Sequence, residues 1–201
     1  MLPDPQRAAL DRLRPLCEEH ELGVAGGWAL RLHGLDGHAG PGLSLVTAAE
    51  TPLPALAGLV RAAVPEAGCE VRLAREPLLQ PLVRREGVLV AGLDDVAGLK
   101  VRALAGRGLP RDVTDVAAAA RVYACRALEE LARARSADFS VHELRTRLEF
   151  VELMADEEFG APPERVAEIR RFALGWIEEI QLRRAEEGDI DVDDPGLPEV
   201  D

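Results

Sequence analysis

The residues of this 201-residue chain best placed to do chemistry begin at Gly26-Gly27. The pair stands between a short apolar run, Leu22-Gly23-Val24-Ala25, and a helical stretch from Trp28 to Leu35. Glycines at a strand-to-helix junction let the backbone approach an anion, with the amides of the helix start directed at it. The same pair serves equally well as a tight turn with no ligand. Arg72 lies on an alternating stretch, where its guanidinium either binds an anion or is a solvated strand residue paired with Glu70 or Glu76. Lys100, read by itself, is an exposed helix lysine near Asp94 or Asp95. Asp112 and Asp115 fall three residues apart in a first helical turn, where the helix dipole favours acids whether or not they have a chemical role.

Other reactive types lack a pattern. His33 and His38 flank a Gly-rich loop, but a metal site needs more ligands at tighter convergence. No Ser/His/Asp or Cys/His set carries a nucleophile motif. Cys17, Cys69 and Cys125 are odd in number and far apart, so they read as small apolar core residues, not a disulfide or zinc set.

The elements that must hold these residues follow from the apolar spacing. Arg7 to Glu19 reads as a helix with Leu10, Leu13, Leu16 and Cys17 on one stripe, and Asp4-Pro5 as its cap and first turn. Leu22–Ala25, Leu43–Thr47, Cys69–Ala74 and Val88–Ala91 read as strands, with a helix at Leu53–Val64. From Asp94 onward the pattern is helical. Asp94-Asp95 caps a helix through Leu104, Arg111–Arg135 forms one long Ala-rich helix, Ser140 opens the next with Glu143 as a capping box, and Glu164–Glu187 is the last. The expectation is an α+β chain, with a small mixed sheet flanked by helices over residues 1–110 and a helical bundle over 111–187. A mobile acidic tail is expected over 188–201. Trp28 and Trp176 read as packing residues. Val122, Leu128, Leu131, Leu144, Leu148, Val151 and Leu153 pack either within the chain or against another.

Three segments together resemble one family. They are Val24-Ala25-Gly26-Gly27-Trp28-Ala29-Leu30-Arg31-Leu32-His33-Gly34, Asp95 through Leu104 with Lys100 at its centre, and Arg107-Gly108-Leu109-Pro110-Arg111-Asp112-Val113-Thr114-Asp115. In this order and spacing they are similar to the "GGxALxxHG" start and the "KxxAL…RG…RDxxD" stretch of the AbiEii toxin-like nucleotidyltransferases. The resemblance covers about residues 20–120. It implies a nucleotidyltransferase fold, a nucleotide contact at Lys100 and a site role for Asp115.

The resemblance also implies an Asp-x-Asp pair on the second strand and a third Asp on its neighbour. Acids two residues apart on a strand share one face and can hold Mg²⁺ together. Gly42 and Ser44 stand where the pair is expected, and Arg72 where the third acid is expected. Glycine and serine bring no anionic oxygen, and an arginine repels the ion. The expected function is therefore a nucleotidyltransferase-fold pseudoenzyme with no catalytic residue and no metal or cofactor, acting as a binding, scaffold or regulatory protein. The residual nucleotide or phosphate positions would be Gly26, Gly27, Arg72, Lys100 and Asp115. The alternative is an active toxin–antitoxin-type transferase that uses Mg²⁺ and an NTP to place NMP on RNA or protein. For it Asp36 lies too early and Glu50 follows the strand, neither with a second acid two residues away, whereas Glu70 shares a strand face with Arg72.

Composition narrows the partners. The formal net charge is −12, and six acids with no base lie in residues 188–201. An acidic chain with 3% aromatics is a poor match for a nucleic-acid groove, which works by releasing counterions to Lys and Arg. No apolar run is long enough to span a membrane and no secretory pattern opens the chain, so the expectation is a cytoplasmic protein. Its partner would be another protein or a second copy, met through the C-terminal helices.

Overall fold

The computed structural model describes residues 2–38, 40–64, 68–186 and 188, so the tail expected at 188–201 lies, apart from Gly188, outside the described residues. The first helix, α1 (Asp4–Glu19), starts at Pro3 in the cap position instead of Asp4, which falls in the first turn with Pro5. It buries Leu10, Leu13 and Cys17.

The sheet has five strands: β1 (Gly23–Ala25), β2 (Leu43–Thr47), β3 (Val71–Arg75), β4 (Val83–Arg85) and β5 (Val88–Val90). Their order is β3-β2-β1-β5-β4. β1 runs antiparallel to β2 and parallel to β5, β2 runs parallel to β3, and β4 runs antiparallel to β5. The chain is thus an α+β protein with a mixed sheet. β4 was not among the strands expected from apolar patterning, because only Val83 in it is apolar. It forms as one arm of a hairpin: Glu86 (φ 48°) and Gly87 (φ 82°) both lie in the left-handed region between Arg85 and its partner Val88. Two such residues make the turn whose twist matches paired strands.

Helices α2 (Gly26–Leu32), α3 (Leu53–Ala63) and α4 (Leu93–Arg107) accompany the sheet, and α5 (Pro110–Ala119), α6 (Cys125–Arg133), α7 (Val141–Glu149) and α8 (Pro163–Glu186) follow. Short 3₁₀ turns at Phe150–Leu153 and Asp156–Phe159 join α7 to α8. The expected single helix over Arg111–Arg135 is in fact α5 and α6, parted at Ala120–Ala124. Nothing in the alanine run marks a stop. The break is tertiary: the Tyr123 hydroxyl donates to Asp94, and α6 turns to lie on α4. There a Cβ on Gly98 would stand 2.5 Å from the Leu131 carbonyl oxygen, so the two helices meet backbone to backbone. Ser140 caps α7 as expected, with its hydroxyl accepting from the Glu143 amide at 3.3 Å.

One hydrophobic core runs from Leu2 to Ile180 and joins the sheet to the C-terminal helices. Leu128, Leu144, Leu148 and Val151 are buried in it, so these residues pack within the chain, whereas Val122 and Leu153 are exposed. Two buried charges pin the helices. Asp95 does not cap α4, whose cap is Gly92. Its carboxylate accepts from Arg135 Nε at 2.9 Å and Nη2 at 2.6 Å, and from the amides of Leu79 and Gln80. Glu129 accepts from the Trp176 indole at 3.0 Å and from Arg183, tying α6 to α8.

Candidate functional site

The register of the sheet decides which residues meet. Ala25 is opposite Ser44 across β1–β2, and Ser44 is opposite Arg72 across β2–β3. Register partners share a face, and the next residue after Ala25 is Gly26, where α2 begins. Gly26 has φ +71°, a conformation that other residues rarely adopt. Its ideal Cβ position lies 3.6 Å from Ser44 Oγ and 4.0 Å from Lys100 Nζ. Gly26, Ser44 and Lys100 therefore line one small space, and Arg72 flanks it.

Lys100 is not held by Asp94 or Asp95. Its Nζ forms an ion pair with Asp115 Oδ2 at 2.5 Å, the lysine side chain being 13% exposed and the aspartate 1%. Asp115 has a role beyond favouring a helix start: its Oδ1 accepts from the His38 amide at 2.6 Å. Asp112, fully buried, receives two bonds from Arg107, at 2.6 Å and 2.7 Å. The hydrogen bond from Arg107 to Asp112 raises the arginine's pKa further, and Asp115 also acts on it. Arg107 thus adjoins this cluster through Asp112, which stands three residues before Asp115 on α5.

Arg72 takes the paired form, with Nε and Nη2 donating to Glu70 at 3.0 Å and 2.8 Å. The bonds from Arg72 hold the Glu70 carboxyl below its ordinary pKa. Glu76, the other candidate partner, pairs with Arg102 instead. Each cation at the site, Arg72, Lys100 and Arg107, thus has its own carboxylate.

Gly27 faces a different surface. A Cβ there would stand 1.9 Å from the His38 carbonyl oxygen, and one on Gly37 would stand 2.5 Å from the Gly27 carbonyl oxygen. The chain at 37–38 therefore lies directly on the Gly-Gly turn. It is held by Arg31 Nε donating to Gly37 O at 2.7 Å, and by the bond to Asp115. Beyond it, Trp28 Nε1 donates to Gly40 O at 3.0 Å. With only seven residues, α2 has a short dipole to offer an anion.

The positions at which the resemblance implies metal-binding acids do not fit Mg²⁺. Ser44 is a neutral hydroxyl and Arg72 a fixed cation beside it. Gly42 precedes β2, and a Cβ there would stand 2.8 Å from the Glu70 carbonyl oxygen, so any side chain at 42 would push against the start of β3. Asp36, in the loop before β2, pairs with Arg121 on the surface. Among the described residues no three His, Cys, Asp or Glu side chains gather as a metal site. His33 bonds the Ala91 carbonyl at 2.9 Å, tying the end of α2 to the residue after β5.

A concave feature lies apart from these residues, at the far end of α4. A shallow groove of about 320 Å³ is lined by Gly108, Arg147, Phe150, Leu153, Met154 and Glu158, with Phe150 49% and Leu153 78% exposed. No helix among the described residues is long and apolar enough to cross a membrane.

No family model matches this chain. No curated protein matches it. Among solved structures, the crystal structure of JHP933 from Helicobacter pylori is similar over 92% of this chain and 94% of that one, at 15% identity and a TM-score of 0.48.

Proposed function

We propose that this chain is a nucleotidyltransferase-fold protein of the AbiEii-like kind that does not transfer nucleotides and acts as a binding or regulatory scaffold in the cytoplasm. The observation that carries the reading is the Ser44–Arg72 register pair beside Gly26. A two-metal transfer site needs anionic oxygens there, because the ions stabilise the charge that develops on the transferred phosphoryl group. A hydroxyl beside a guanidinium offers the opposite field. The pairing of each nearby cation with its own carboxylate supports a site that is electrostatically complete without a ligand. Recognition of a protein partner then falls to the surface of the C-terminal helices, where Phe150 and Leu153 are exposed beside Arg147.

The test is incubation of the full chain with Mg²⁺ or Mn²⁺, labelled NTPs, and protein and tRNA acceptors. The reading expects no label transfer above a heat-denatured control. Robust transfer would establish the rival, an active toxin–antitoxin-type enzyme whose acids come from other positions.

A further inference from the structure

We infer that Asp115 is a latch that couples the charge on Lys100 to the position of the chain at Gly37–His38. Its two oxygens are divided between two tasks. Oδ2 neutralises Lys100 at 2.5 Å, and Oδ1 holds the His38 amide at 2.6 Å. The carboxylate is 1% exposed, so water competes with neither bond. A charged acceptor makes each bond stronger than a neutral one would. The segment so held lies on Gly27, with the His38 carbonyl oxygen where a Gly27 side chain would begin. The protein's own backbone therefore covers the turn, and its own carboxylate satisfies the lysine.

Lys100 is the more exposed half of this arrangement, with 13% of its side chain accessible and Nζ 4.0 Å from the position a Gly26 Cβ would take. A phosphate-bearing anion that engages Lys100 sets its charge against the buried Asp115, which must give up the lysine or shift with it. A shift of Asp115 releases the His38 amide and loosens the cover on Gly27. By linkage, any change that opens the cover makes Lys100 a better anion site to the same degree. The ligand class is a small polyphosphate anion taken without a metal, and the device is an autoinhibitory contact. The coupling rests on the two Asp115 bonds, whereas the ligand class rests on the proposed nucleotidyltransferase-type fold, so a failure of the anion arm alone leaves the coupling standing.

Amide hydrogen exchange at His38 in the full chain, by NMR or on a peptide spanning 34–41, reads the latch directly. Replacing Asp115→Ala together with Lys100→Met removes both charges, so neither is stranded in the interior. This pair should speed His38 exchange about tenfold or more while peptides from α6 and α8 stay protected. Gly27→Ala keeps both charged side chains and wedges a methyl against the His38 carbonyl, and should speed the same amide. Inorganic pyrophosphate should accelerate His38 exchange in the unaltered chain and have no further effect in the double variant. Unchanged His38 exchange in the double variant, with α6 and α8 still protected, overturns the latch. The anion arm is overturned by pyrophosphate that leaves His38 exchange unchanged in the unaltered chain, or that accelerates it further in the double variant.

Discussion

Ser44 on β2 and Arg72 on β3 are register partners, and Ser44 Oγ lies 3.6 Å from the position a Gly26 Cβ would take. The sheet face under the Gly-Gly turn therefore carries a hydroxyl and a cation side by side. Adding one acid there does not make a metal site, because the acid pairs with the arginine next to it. Ser44→Asp alone should bind no Mn²⁺, whereas Ser44→Asp with Arg72→Asp should gain divalent-cation binding in calorimetry. Binding by the single variant would mean that Arg72 does not govern the field at this face.

The buried pair of Asp95 and Arg135 joins α4 to the end of α6 and holds the backbone at Leu79–Gln80. Removing one partner strands the other in the interior, which costs about 3–5 kcal/mol. Arg135→Met should lower the urea-unfolding free energy by that amount, and adding Asp95→Asn should recover part of it. A loss below about 1 kcal/mol, the range of an exposed pair, would contradict the burial seen here.

Much of this arrangement was legible in the residues. The order of elements up to α4 (β4 excepted), the strand at Leu43–Thr47 and the helix cap at Ser140 all follow from local apolar spacing and turn chemistry. What was not legible was long-range. β4 depends on the Glu86-Gly87 turn and a partner strand instead of its own apolar content. The break between α5 and α6 lies in a run of alanines and is imposed by Tyr123 on Asp94 and by the close approach at Gly98. Within the site, sequence spacing grouped Lys100 with the acids nearest in the chain, whereas the fold gives it Asp115, on the next helix. Arg107 and the His38 backbone entered the site for the same reason, since neither residue type signals which neighbour the fold will bring.

Burial pushes the Cys17 thiol up from 9.0 to about 11, with Glu18 adding to the shift. The folded protein thus keeps this proton at pH values where the unfolded chain releases it. The stability this contributes is whole below about pH 9 and is lost as pH rises through about 11. The unfolding free energy should fall between these values, by on the order of 2 kcal/mol for this group. The fall should be shallower in Cys17→Ala. Identical slopes for the two proteins would show that Cys17 is not the group responsible. In the native protein at pH 8, Cys17 should also resist a thiol reagent until denaturant is added.

The central claim concerns charge at the face beneath Gly26, and Mn²⁺ titration followed by electron paramagnetic resonance measures it most directly. Comparing the full chain with Asp115→Asn and Glu70→Gln separates this face from acids elsewhere in the sequence. The account predicts that the three titrations superimpose, with no stoichiometric site attributable to the cleft. A one-to-one Mn²⁺ site in the unaltered chain that disappears in either variant would contradict it.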